Sequence, residues 1–157
     1  NVSLVTICFM IYKKQGLQTL ALLLVLSSMP SYFGRIKNSQ IIIPITVANP
    51  NSPSDRIKVN ALIDSGSTAC SIRETILDKL NIERLGSISI SLITGKRQVG
   101  YYKALIVLDT NGIPMCHEEL VSPLPLEMES PIDMIIGMSV ISKGKLVIEN
   151  GGYSFII

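Results

Sequence analysis

The sequence predicts a mostly β domain, and three observations point that way. Hydrophobic residues make up 47% of the 157, yet aromatics are only 5% and Trp is absent, so the apolar set is mainly Ile, Leu and Val. β-branched side chains suit the pleated, half-buried surface of a sheet. Apolar runs at 41–47, 57–63, 87–93 and 98–108 are separated by clusters of Asn, Ser, Pro and Gly, which turn strands back on themselves. Charged residues are 17% of the chain, which argues for a buried core and against disorder. At this length one domain, or one domain with a tail, is expected.

The charge balance and rare residues exclude several classes. A net charge of +2, with no basic stripe carrying interleaved aromatics, does not suit a nucleic-acid partner. Cys8, Cys70 and Cys116 give an odd count without C-x-x-C spacing, which argues against a disulfide framework or a zinc site. Cys70 is expected to be buried as a small hydrophobe. The one histidine, His117, lies in a polar stretch with Glu118 and Glu119 and reads as a surface-loop residue. No Gly-x-Ser-x-Gly elbow accompanies it, so a Ser-His-Asp or Cys-His enzyme is not supported.

Residues 1–29 differ from the rest. Two apolar halves flank Lys13-Lys14-Gln15-Gly16, and neither reaches the about 20 residues needed to span a bilayer. The second half has the length of a signal-peptide core, but no Ala-x-Ala site follows. A membrane tether, an uncleaved signal anchor and a non-native leader all fit, with a membrane-associated helix the leading reading.

From residue 36 the elements follow in order. Asn38-Ser39 makes a turn, and 41–47 reads as a strand. Residues 49–55, Asn-Pro-Asn-Ser-Pro-Ser-Asp, read as a surface loop. Residues 57–63 form the strand that delivers Asp64. Ser71 and Glu74 fit a capping box that opens a helix to about Leu80, with Ile72, Ile76, Leu77 and Leu80 on one face. Ile88, Ile90 and Leu92 alternate with Ser87, Ser89 and Ser91. Thr94-Gly95-Lys96 then turns the chain into a return strand over 98–108.

Asp109-Thr110-Asn111-Gly112 superficially repeats the Asp64 region. An Asn separates Thr110 from Gly112, however, and Asn-Gly is a hairpin-turn signal. Residues 121–131, with Pro123, Pro125 and Pro131, read as an extended loop. An apolar strand at 135–137 leads into a short segment of helical character. Strands at 144–149 and 153–157 flank a turn at Glu149-Asn150-Gly151-Gly152. The apolar end Phe155-Ile156-Ile157 would be an aggregation-prone edge if left free, so pairing with a second chain is expected to hide it.

The most informative stretch is Ala61-Leu62-Ile63-Asp64-Ser65-Gly66-Ser67-Thr68. An apolar strand runs into a carboxylate, and a hydroxyl residue and a glycine follow at once. Glycine permits a sharp turn with φ > 0 and a close backbone approach, so the carboxylate is presented rather than solvated at random. An ordinary strand-to-turn junction is the competing reading, because Asp, Ser and Gly are all common turn residues.

Ala-Leu-Ile-Asp-Ser-Gly-Ser at 61–67, followed by Ile-Ile-Gly-Met-Ser-Val-Ile at 135–141, resembles the retropepsin-like aspartic proteases, most of all their small bacterial and archaeal members. Tyr32-Phe33-Gly34-Arg35-Ile36 with 41–47 is similar to the family's opening strands, and 144–149 to its closing strand. The likeness covers roughly 29–157. Two departures stand out: Ser139 where the family often has Asp, and Ser67 where many members have Ala. The first bears on packing, and the second adds a hydroxyl that could hydrogen-bond to the catalytic carboxylates.

The resemblance implies a retropepsin-like closed β-barrel, an acid-protease half-lobe with one short helix, functioning as a homodimer. It implies a domain at 30–157 behind the 1–29 leader. It marks Asp64, Ser65 and Gly66 as catalytic: two copies of Asp64 hold the attacking water, Ser65 bonds across the dimer, and the Gly66 amide donates towards the carboxylates. The strand at 135–137 is expected to lie beside the Asp64 loop and support it. The 87–108 hairpin becomes a flap over an extended peptide substrate, with Ser67, Ile93, Thr94, Gly95 and Lys96 in contact. Its two glycines, Gly95 and Gly100, predict a stiffer or shorter flap than the mobile retroviral ones. No metal or organic cofactor is implied. A cytoplasmic location is expected, with membrane association open through 1–29. The rival reading is a non-catalytic dimerisation or peptide-binding module on the same fold; a retroelement protease cut from a polyprotein is a third.

Overall fold

A computed structural model describes residues 31–92, 95–110, 113–124 and 131–157. Ten strands dominate it: β1 (Ser31–Arg35), β2 (Ile42–Asn49), β3 (Ser52–Ile63), β4 (Cys70–Ile72), β5 (Arg84–Leu92), β6 (Gly95–Thr110), β7 (Ile113–Pro123), β8 (Met134–Ile136), β9 (Lys145–Glu149) and β10 (Gly152–Ile156). Two short helices join them, α1 (Glu74–Lys79) after β4 and α2 (Met138–Ile141) after β8. The mostly β expectation holds; α2 is the short helical segment expected after 135–137, one helix more than the half-lobe with a single helix. Among the described residues no helix is long and apolar enough to cross a membrane, and the 1–29 leader lies outside them.

The strands form two sheets. The larger runs β2-β3-β8-β4-β7-β6-β5, and β2 also pairs with β6 through Thr46↔Val107, Val47↔Ile106 and Ala48↔Leu105. The smaller runs β1-β10-β9. Most pairings are antiparallel, but β8 lies parallel to β3 (Ala61↔Met134, Leu62↔Ile135, Ile63↔Ile136) and β4 lies parallel to β7. Those two parallel pairings draw four chain segments together around the exit of β3.

Alternation decides which side chains enter the core. Along β2, Ile43, Ile45 and Val47 are buried, and along β3 Val59, Ala61 and Ile63 are, as a two-residue period requires. Ile72, Met134, Ile136, Val121, Ile106 and Leu108 complete the interior. Fully burying one such side chain contributes about 1.5–3 kcal/mol.

Several local expectations are corrected. The 49–55 segment is a tight hairpin: only Pro50 and Asn51 separate β2 from β3, and the Asn51 amide donates to Asn49 Oδ1 at 2.9 Å. The dense turn formers confine the reversal to two residues, and Ser52–Asp55 are already extended. The capping box does not form. Ser71 lies in β4, where its hydroxyl meets Ser122 Oγ at 2.9 Å, and α1 starts after an extended Arg73 with no side-chain cap. Parallel pairing with β7 holds Ser71 extended, and this tertiary constraint overrides the local cap. Ile72, Ile76, Leu77 and Leu80 are all buried, as the periodicity predicts.

The C-terminal strand is no free edge. β10 sits between β1 and β9, with Phe155 facing Tyr32 on one side and Leu146 on the other. Phe155 is fully buried, so its own chain, rather than a second copy, covers it. His117 also departs from expectation: it lies within β7, opposite Ile106 on β6, half-buried and with Nε2 enclosed and unpartnered. Neighbouring acids made this strand look like a loop, because its outward positions are polar.

The hairpins fall as expected. β6 and β7 stay in register to Thr110↔Ile113; the expected Asn111-Gly112 turn lies outside the described residues. Asn150 and Gly151 turn β9 into β10 with φ of 51° and 69°. In β5–β6, Ile88 pairs with Val99 and Ser89 with Gln98. Ser87, Ile88, Ser89 and residues 95–98 are exposed, so the outer part of this hairpin projects from the body on both faces. The 125–130 part of the expected loop lies outside the described residues; β7 itself continues through Pro123.

Candidate active site

β3 ends where its apolar run ends. Ile63 still donates to Ile41 O at 2.9 Å, and Asp64 donates to Ile136 O at 3.0 Å, so the acid is the last residue held by the sheet. The expected support of the Asp64 loop by the 135–137 strand is therefore present. The chain then folds back, with the Ser67 amide donating to Asp64 O at 3.1 Å. The Gly66 amide donates to Asp64 Oδ1 at 2.9 Å, which fixes the rotamer of the carboxylate. Asp64 is half-buried, while Ser65 and Gly66 are exposed.

Gly66 acts differently from the sequence expectation. It is not among the positive-φ glycines. What matters is proximity: a Cβ there would lie 3.2 Å from Asp64 Oδ1, crowding the contact that orients the acid. Ser67 also departs from expectation. Its hydroxyl donates to Ala69 O at 2.8 Å and so stiffens the loop instead of reaching the carboxylate.

α2 clamps the far side of this loop. The Met138 amide donates to Ser67 O at 2.8 Å and the Ser139 amide to Thr68 O at 3.0 Å. Gly137 makes the approach possible, because a Cβ there would fall 2.3 Å from Ala69 O and 2.8 Å from Ser67 O. Beneath the loop Cys70 is fully buried, as expected, with Sγ 3.6 Å from Ser139 Oγ. Burial pushes its thiol pKa up, which keeps it protonated and inert. Ser139, in the place where Asp is frequent, thus contacts the cysteine that follows the loop.

Gly95 and Lys96 belong to the β5–β6 hairpin and pair with Leu92 and Ser91, not with the Asp64 loop. Gly95 adopts φ of 124°, a conformation that favours glycine. Ile93 and Thr94 lie outside the described residues. A separate cleft of about 490 Å³ is lined by Arg73, Arg84, Arg97, Gly100 and Leu124, among others, and by none of residues 64–69. Among the described residues no group of three or more His, Cys, Asp or Glu could hold a metal ion.

Sequence reasoning found the carboxylate and its loop but missed two features. The Met138 and Ser139 amides carry no side-chain signal; Gly137 within an apolar run was the available clue. Glu119, buried and paired with Lys143, was hidden among acids that looked solvated.

No family model matches the sequence, and no curated protein matches it. Solved structures do. A retropepsin-like aspartic protease from Rickettsia conorii superposes with a TM-score of 0.52 at 10% identity, covering 82% of this chain and 91% of that one. The EIAV protease in complex with the inhibitor HBY-793 gives 0.49 at 16% identity, over 71% and 95% of the two chains. The simian foamy virus protease gives 0.41 at 19% identity, over 64% and 92%. At such identities the Rickettsia likeness speaks to architecture alone. The chain has the retropepsin-like fold, with Asp64 held at the end of β3.

Proposed function

We propose that this chain is an aspartic-type endopeptidase that works as a homodimer, with residues 30–157 as its protease domain. The observation that carries the reading is the Asp64 loop. A half-buried carboxylate is oriented by the Gly66 amide, anchored to β8 and gripped from behind by two amides of α2. So many backbone bonds around one exposed turn fix a side chain for chemistry. The β2–β6 pairing supports a closed barrel, and a rigid frame of that kind suits a preorganised site.

A single carboxylate does not make this chemistry. Among the described residues no second carboxylate is hydrogen-bonded to Asp64, and one chain carries one Asp-Ser-Gly. A two-fold axis brings a residue near its own mate, so two copies of Asp64 would meet across it. Two carboxylates in close contact cannot both ionise, and they share a proton. The protonated Asp64 donates towards the scissile carbonyl. The ionised one accepts a proton from water as its oxygen attacks the carbonyl carbon. The tetrahedral intermediate collapses when the nitrogen takes up a proton and the C–N bond breaks. The exposed Ser65 hydroxyl would bond across the axis. The projecting β5–β6 hairpin would cover an extended peptide, with Ser67, Ile93, Thr94, Gly95 and Lys96 nearest to it. A site that needs one carboxyl protonated and the other ionised gives a bell-shaped pH profile.

Asp64→Asn tests this directly. Turnover of peptide substrates should fall by roughly 10²–10⁴-fold, while the variant stays folded and dimeric. A non-catalytic peptide-binding module would instead cleave nothing in either form and keep its peptide affinity. Undiminished cleavage by the variant would sink the proposal.

A further inference from the structure

α2 has only four residues, and so short a helix does not hold itself together. Yet its first two amides grip the carbonyls of Ser67 and Thr68. Something must hold α2 in place. Val140 and Ile141 are buried in the core, but apolar packing is non-directional. The directional tie lies at the other end. The Lys143 amide donates to Val140 O at 3.0 Å, so its backbone continues the last turn of the helix. Its ammonium is ion-paired and hydrogen-bonded to Glu119 Oε1 on β7.

Glu119 is no surface acid. Pro114, Cys116, Glu118 and Leu120 face outward along β7, while Met115, His117, Glu119 and Val121 face inward. Glu119 is 8% exposed. A buried carboxylate without a partner is costly, so β7 depends on Lys143 as much as α2 depends on Glu119. Glu119 stands two residues before Val121, which pairs with Cys70, the residue that closes the Asp64 loop and enters β4. The tie thus joins the strand beside the loop's exit to the helix that grips the loop. β7 is fixed in turn by long pairing with β6 and by parallel pairing with β4.

We propose that Glu119 and Lys143 are positioning residues for the Asp64 site: the ion pair between buried Glu119 and the exposed Lys143 fastens α2 to β7, and α2 then sets the loop through the Met138 and Ser139 amides. This rests on the proposed proteolytic reading only for its kinetic consequence. The mechanical part concerns the loop alone.

The test uses the full chain with Lys143→Met, Lys143→Arg and the double variant Lys143→Met/Glu119→Gln, which removes both charges and so leaves no buried charge unpaired. Amide hydrogen exchange at Met138 and Ser139 is followed against that of the β6–β7 ladder. With the tie lost, exchange at the two α2 amides should rise about tenfold or more in Lys143→Met and in the double variant, while the ladder changes by less than about twofold. Lys143→Arg keeps the cation and should stay near wild type. With peptide substrate, kcat should drop by about tenfold or more and KM move by less than about threefold, because misplacing a reacting group acts on the chemical step.

Unchanged protection at Met138 and Ser139 in the double variant overturns the proposal. So does a loss of protection spread equally over the ladder, which marks the pair as generally stabilising. If Lys143→Met does not fold, the double variant carries the same comparison. If exchange responds as expected but even the wild type cleaves no peptide, the positioning role stands and the proteolytic reading falls.

Discussion

Gly137 has an ordinary backbone, with φ of −92° and ψ of −175°, so conformation does not demand glycine there. Space does. The carbonyls of Ala69 and Ser67 occupy the place of a side chain, and both belong to the loop that carries Asp64. Gly137→Ala should therefore cost about 3 kcal/mol, the upper part of the range for overpacking, because backbone rather than a flexible side chain must yield. A lowered denaturant midpoint checks the cost, and faster exchange at Met138 and Ser139 checks its location.

His117 is a second residue set by its surroundings. Burial, reinforced by the Lys143 ammonium and opposed by Glu119, pushes its pKa below 6.5. A depressed folded-state pKa means that the folded protein binds the proton less well than the unfolded chain. The associated stability is present above pH 6.5 and is lost as pH falls towards the folded value. Replacing the titrating ring with a neutral side chain in His117→Gln should flatten the decline of the melting temperature between about pH 7 and pH 5. An equally steep decline in the variant would contradict this. The sequence displayed His117, Glu118 and Glu119 plainly, but their alternation between inside and outside emerges only once β7 is paired.

At the scale of elements, β6 matters most. Its 16 residues pair with β5, β7 and β2, so one strand links the projecting hairpin to the body. Hydrophobic period made the β5–β6 hairpin readable in advance, and Asn-Gly marked the turn after β6, but the acids of β7 disguised that strand as a loop. The parallel pairings β3–β8 and β4–β7 were harder to read, because their partners lie far apart in the chain and no turn chemistry records them. β10 illustrates the same limit. Its apolar sequence suggested an edge in need of a second chain, yet β1 and β9 flank it and enclose Phe155. Phe155→Ala should therefore destabilise the single chain by about 3–5 kcal/mol, read as a shift in denaturant midpoint with little change in slope. A cost that appears only where the protein is dimeric would return this strand to the interface.

At the scale of the whole molecule, the proposed mechanism makes activity a property of two chains. Among the described residues no second carboxylate is hydrogen-bonded to Asp64, so under the proposed mechanism dilution below the dimer dissociation constant should lower activity per chain, in step with the dimer fraction measured by sedimentation. Constant specific activity across that range would contradict the two-fold site. The Glu119–Lys143 tie belongs to the same scale, since it links the strand after the projecting hairpin to the helix behind the carboxylate.

The sequence alone determined the β class, the β5–β6 and β9–β10 hairpins and the acid at the end of β3. Those features are written locally, in two-residue alternation, in turn residues and in one Asp-Ser-Gly. Tertiary structure decided the rest: that Ser71 stays extended instead of capping α1, that β10 lies inside its sheet, that Gly137 is required for closeness, and that Glu119 is buried. Each of these depends on what a distant segment places beside the residue, and burial and pairing between remote strands leave no local signature in the order of amino acids.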